Sequence, residues 1–87
     1  MQLKNYMEEV VASVIKRVLK DANCCTCEKC INDVTAIALN NLPPRYIVTE
    51  EGELYLKFRE IQQQYEVDAI AAILRAAEIV KKNPRHA

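Results

Sequence analysis

Apolar residues recur along this chain at helical spacing, interrupted at only a few places. Between residues 4 and 21 they fall at Tyr6, Met7, Val10, Val11, Val14, Ile15, Val18 and Leu19, with Leu3 just before. At about 100° per residue they cover an arc of roughly 220°. That is wider than one packing face needs, so this helix is either central in its core or also meets a second copy. A second helix is expected from about residue 29 to 41, with Ile31, Val34, Ile37, Ala38 and Leu42 on one face. Asn32, Asp33, Ala36 and Asn40 form its other face. Pro43 and Pro44 stop it, because proline lacks an amide donor and restricts the residue before it.

Residues 45–49, Arg-Tyr-Ile-Val-Thr, favour an extended chain but are too few to make a sheet alone. Gly52 marks a turn into a third helix, residues 53–64, with Leu54, Phe58 and Ile61 inward. The pattern changes phase at residues 65–68. There Asp68 caps a fourth helix over 68–82, or the chain runs on as one long kinked helix. In this last segment Val67, Ile70, Ile73, Leu74, Ala77 and Val80 form one broad face, and Ala69, Ala72 and Ala76 a second. A helix apolar nearly all round is normally buried. A chain of 87 residues has little room to bury it, so the expected state is a homodimer. The fold class predicted is an all-α bundle of about four helices in one domain, 1–87.

Composition sharpens this picture. Lys plus Arg number 12 and Asp plus Glu number 12, so no net charge points to a polyanion, and direct nucleic-acid binding is not expected. No apolar run approaches the roughly 18 residues of a membrane span. Residues 1–20 carry too many charges for a secretory signal. The expected location is the cytoplasm, where thiols stay reduced and clustered cysteines more often bind metal than pair.

All four cysteines lie within Cys24-Cys25-Thr26-Cys27-Glu28-Lys29-Cys30. Zinc takes four ligands in a tetrahedron, and a Cys-x-x-Cys turn brings two sulfurs onto one ion. Cys25 reaches the same centre across a tight turn, and Cys24 completes the set if the chain leaves the first helix at a suitable angle. His86 and Asp33 are alternative fourth ligands. A thiolate at the start of the second helix also gains from that helix's dipole. The rival readings are a redox pair, which prefers a strand–helix context absent here, and a loop of free thiols. Four thiolates saturate the ion, so the centre is structural and pins the first helix to the second.

The run from Cys25 to Val34, followed by Ala38-Leu39-Asn40-Asn41-Leu42-Pro43-Pro44-Arg45-Tyr46, resembles the late competence protein ComFB family. The opening Asn5-Tyr6-Met7-Glu8-Glu9 and the ending Ala77 to His86 are similar to it too, so the resemblance spans nearly the whole chain. It implies a small, helical, zinc-containing homodimer of the bacterial cytoplasm. The family takes its name from an operon for DNA uptake, and members are described as receptors for cyclic dinucleotides.

Arg45 and Tyr46 follow the rigid Pro43-Pro44 corner. Beside their bland role in helix termination, they suit a nucleotide: an arginine for phosphate, an aromatic for a base. Arg59 and Arg75 are further guanidinium groups, each present twice in a two-fold dimer, matching the near two-fold symmetry of a cyclic dinucleotide. Taken singly, each is equally a solvated surface charge. No catalytic constellation is visible. There is one histidine, the one serine is Ser13 in mid-helix, and a single glycine rules out a phosphate-binding glycine loop. The expected function is therefore non-enzymatic. The resemblance implies a zinc-stabilised receptor for cyclic di-GMP or cyclic di-AMP, or a competence-associated adaptor, acting on a regulatory partner protein. The alternative is a protein-interaction dimer with no small ligand.

Overall fold

A computed structural model describes residues 2–49 and 59–83. In chain order the elements are β1 (Gln2–Asn5), α1 (Tyr6–Asp21), α2 (Glu28–Asn40), β2 (Tyr46–Thr49) and α3 (Arg59–Lys82). The first helix begins at Tyr6 rather than at residue 4 because Asn5 is its N-cap. Asn5 has extended backbone angles, and its side-chain oxygen accepts the Met7 amide at 3.2 Å. The same oxygen accepts the Arg45 amide at 2.9 Å, and the Tyr6 amide donates to the Arg45 carbonyl at 2.7 Å. This junction brings residues 2–5 alongside 46–49. They pair antiparallel, with Leu3 opposite Val48, Lys4 opposite Ile47 and Asn5 opposite Tyr46. The extended segment after Pro44 thus finds a partner strand 41 to 47 residues earlier. The fold is mostly helical with a two-stranded ribbon, a departure from the all-α expectation.

The second departure is the helix count, which among the described residues is three. Residues 59–82 form one helix with no break at 65–68. Asp68 is no cap: its carboxylate accepts a hydrogen bond from the Gln64 side chain at 3.1 Å, one turn earlier in the same helix. The change of phase comes from Val67, an apolar residue that faces outward and is 59% exposed. Residues 53–58 of the expected third helix lie outside the described set.

The core explains why one copy covers so much apolar surface. Eight residues of α1, from Tyr6 to Leu19, are buried, and α1 packs chiefly against α3 and less against α2. α2 contributes Cys30, Val34 and Ala38. α3 contributes Ala69, Ala72, Ile73, Ala76, Ala77 and Val80, all at most 5% exposed. Four alanines let the backbones approach closely, and Ile73 fills the space they leave. The wide apolar arc of α1 is therefore satisfied within one chain. Among the described residues, large apolar side chains still exposed are Leu3, Tyr46 and Val48 on the ribbon, and Val67, Leu74 and Ile79 on α3.

Candidate metal centre

The end of α1 sets the entrance to the cysteine loop. Ala22 is its C-cap, and Asn23 follows with φ of 56°, a left-handed conformation that asparagine tolerates better than most residues. The Asn23 amide donates to the Lys20 carbonyl at 3.1 Å, and the Cys24 amide to the Leu19 carbonyl at 2.9 Å. This is a Schellman ending, which normally carries an apolar contact from the residue after the left-handed one back to the last turn. Cys24 occupies that position, and both it and Leu19 are buried in the core cluster. From the far side, the Lys81 ammonium donates to the Ala22 carbonyl and fastens the end of α3 to this corner.

The chain then turns into α2, whose N-cap is Cys27. Its backbone is extended, and its sulfur accepts the Cys30 amide at 3.5 Å, as a serine or aspartate oxygen does in ordinary caps. The Cys25 sulfur accepts the Cys27 amide at 3.4 Å. These bonds aim three sulfurs at one point: those of Cys25, Cys27 and Cys30 all lie within 4.8 Å of one another. A tetrahedral ion about 2.3 Å from each sulfur sets sulfurs about 3.8 Å apart, so an adjustment of about 1 Å closes the trio on zinc. The donor set fits a metal ion. Cys25 is exposed, Cys27 half-buried and Cys30 buried, so the trio reaches from solvent into the core.

The electrostatics run in opposite directions at two of these thiols. The amide of Cys30, backed by the Cys25 side chain, holds the Cys27 thiol below its ordinary range. Burial pushes the Cys30 thiol up to about 12, and the neighbouring sulfurs add to the effect. Cys27 is thus readied to lose its proton, while Cys30 keeps its own until a cation replaces it.

Cys24, the fourth expected ligand, lies outside this trio. Asp33, one of the alternatives, sits in α2 beyond Cys30 and is not in the trio either. His86, the other, lies outside the described residues. Of the four residues considered for a nucleotide, the side chains of Arg45, Tyr46 and Arg75 are described, and they occupy different surroundings. Arg45 places its guanidinium over the ring of Tyr65, 5.4 Å from the centroid, and Tyr65 meets Tyr6 edge-on at 6.2 Å. Tyr46 is 65% exposed in the ribbon. Arg75 is exposed on α3, ten residues and about 15 Å along the helix from Tyr65. The side chain of Arg59 lies outside the described set. Sequence reasoning missed Tyr65 as the seat for Arg45, and nothing local in the sequence joins residues 20 apart.

Fold and site together define a small helical protein with a cysteine trio, suited to one metal ion, at the joint of its first two helices. The profile of the family described as late competence development protein ComFB matches residues 4–84. The chain belongs to that family. It is 28% identical to the competence protein ComFB of Bacillus subtilis (strain 168) over 83 residues, covering 94% of this chain and 85% of that protein. Its fold is similar to the solved structure of the late competence protein ComFB from Bacillus subtilis, with a TM-score of 0.78 and 27% identity, covering 98% of this chain and 94% of that one. Among the described residues no helix is long and apolar enough to cross a membrane.

Proposed function

We propose that this protein is a non-enzymatic regulatory module, fastened by zinc, that works as a homodimer in the reducing cytoplasm. The observation that carries the reading is the convergence of Cys25, Cys27 and Cys30 at the α1–α2 joint. Thiolates in tetrahedral reach select zinc among common intracellular metals, and reducing conditions keep them available. Zinc here joins two helices of a small core, so its binding and folding are coupled.

The dimer is assigned to the outer stripe of α3. Val67 and Leu74 stand two turns apart, 59% and 43% exposed, with Ile70 half-buried between them. Beside them on α1 lie Arg17 and Asp21, which share a depression of about 240 Å³ with Ile70 and Leu74. Arg17 and Asp21 are four residues apart on one helix face. A two-fold axis through this stripe sets Arg17 of one copy against Asp21 of the other, twice, which is how an isologous contact becomes self-complementary. Sedimentation equilibrium tests this directly. The wild type is expected at two copies, and Leu74→Lys at one; a wild type of one copy ends the proposal.

The ligand assigned to the dimer is a cyclic dinucleotide. Arg75 is exposed beside Leu74, about 100° round α3 from it, so it flanks the stripe and a two-fold contact there sets two such guanidiniums along its rim, where a doubly anionic ligand of similar symmetry fits. Calorimetry of the zinc-loaded dimer with cyclic di-GMP and cyclic di-AMP is expected to give heat with one of them, lost in Arg75→Ala. A second reading, a protein-interaction dimer without a small ligand, draws support from the separation of Arg45, Tyr46 and Arg75 within each chain. Absence of heat with both nucleotides selects it.

A further inference from the structure

A hollow of about 270 Å³ lies between α2 and the last turns of α3. Ile37 of α2 and Ile79 and Val80 of α3 give it an apolar lining, and Ala36 leaves its α2 wall low. Ile79 is 51% exposed and Val80 is buried, so the isoleucine forms the rim and the valine the floor. Single exposed apolar residues are ordinary, but this one shares a concave surface with two others. At about 100° per residue, Ile79 stands about 140° round α3 from Leu74, so the hollow opens away from the stripe assigned to the dimer. It is built within one chain.

The charges around it are uneven. Arg75 lies four residues before Ile79 and Lys82 three after, so both stand on its side of α3. On α2, Lys29 stands two turns before Ala36 on the same face. All three cations are exposed, and none is in an ion pair among the described residues. Asn32 and Asn40, one turn either side of Ala36, are exposed and uncharged. Asp33 is the carboxylate in the lining; it is half-buried and already engaged within the chain. Glu78, exposed on α3, pairs with Lys81 at 3.9 Å. The outcome is an apolar floor with a cationic border.

We propose that this hollow is a docking site for an amphipathic helix of a partner protein, one whose apolar stripe is flanked by glutamates or aspartates. A helix laid along two packed helices sets apolar residues into the groove at each turn. Its acidic flanks then meet Arg75, Lys82 and Lys29, and like charge turns away a basic helix. A nucleic-acid strand would use the cations but gain nothing from Ile37, Ile79 and Val80. The inference goes beyond the zinc, dimer and nucleotide reading and does not rest on it.

Three synthetic helical peptides test it, each of about 14 residues to match the length of α2, with one shared leucine stripe and flanks of glutamate, glutamine or lysine. Binding is read by fluorescence anisotropy on the full-length protein, and the contact is mapped by amide shifts. The glutamate peptide is expected to bind about tenfold or more tighter than the lysine peptide, with shifts centred on residues 33–37 and 79–83. Ile79→Asp should weaken it about tenfold or more, and Lys82→Glu should reduce the preference for glutamate about threefold or more. Ala36→Glu fills the low wall from an exposed position with a like charge, and it replaces Ile79→Asp if that variant does not fold. No binding of the glutamate peptide, equal binding of all three, or shifts centred on Val67 and Leu74 overturns the proposal. So does an Ile79→Asp protein that sediments as one copy where wild type sediments as two, since the occupant is then a second copy. Leu74→Lys should bind the peptide as wild type does. A peptide that fails while Leu74→Lys still halves the mass removes the docking site and leaves the dimer reading standing.

Discussion

At the scale of single residues, the two thiols with displaced proton affinities make opposite statements about pH. Cys30 releases its proton near pH 12 when folded and about 8.5 when unfolded. Between those values the unfolded metal-free chain binds fewer protons than the folded one, so stability falls as pH rises. Burial, with Glu9 adding to it, raises Tyr6 as well, and it acts in the same sense at higher pH. Metal-free protein is therefore expected to lose thermal stability steadily above about pH 9, a trend that Cys30→Val removes in part. Melting curves by circular dichroism in chelator across pH 7 to 11 check it. The zinc-loaded protein is expected to behave in the opposite way. Protons compete with the ion for thiolates, so acid strips it. Zinc release followed with a chromogenic chelator should rise as pH falls, and a flat profile would exclude thiolate ligands.

At the scale of elements, two contacts organise the helices. Asn5 satisfies the Met7 and Arg45 amides with one oxygen, so Asn5→Ala removes a helix cap and a ribbon anchor together. A loss of about 1–2 kcal/mol is expected in urea unfolding, larger than for a cap that holds its own helix only. The alanine face of α3 sets the close approach to its neighbours, so Ala72→Leu, at a site 2% exposed, should cost about 1–3 kcal/mol by overpacking. α2 was readable from sequence within a residue at each end, because its apolar stripe and the Pro43-Pro44 stop agree. The ribbon was not, since each strand has only four residues and exists through pairing across 41 to 47 positions. Leu3, 71% exposed, mimics the first residue of a helical stripe. Val67 mimics a helix break in the same way, since period alone does not tell an outward apolar residue from a change of element. In the cysteine loop the spacing pointed to Cys24, Cys25, Cys27 and Cys30 as one set, and the structure brings the last three together. The setting of Cys24 depends on a left-handed Asn23, which no spacing rule reports.

At the scale of the whole molecule, the ribbon and the cysteine trio sit at opposite ends of α1, about 24 Å apart along 16 residues. One end is tied by Asn5 to the Arg45 backbone; the other is tied by the Leu19–Cys24 closure and by Lys81. A helix in a small protein ordinarily frays from a free terminus, giving its amides a cheap route to exchange with solvent. α1 has no such route, so its central amides, from Val10 to Leu19, should exchange only when the entire chain opens. Deuterium uptake there serves as a gauge of global opening, and chelation should quicken it across the full length of the rod rather than at the cysteine end alone.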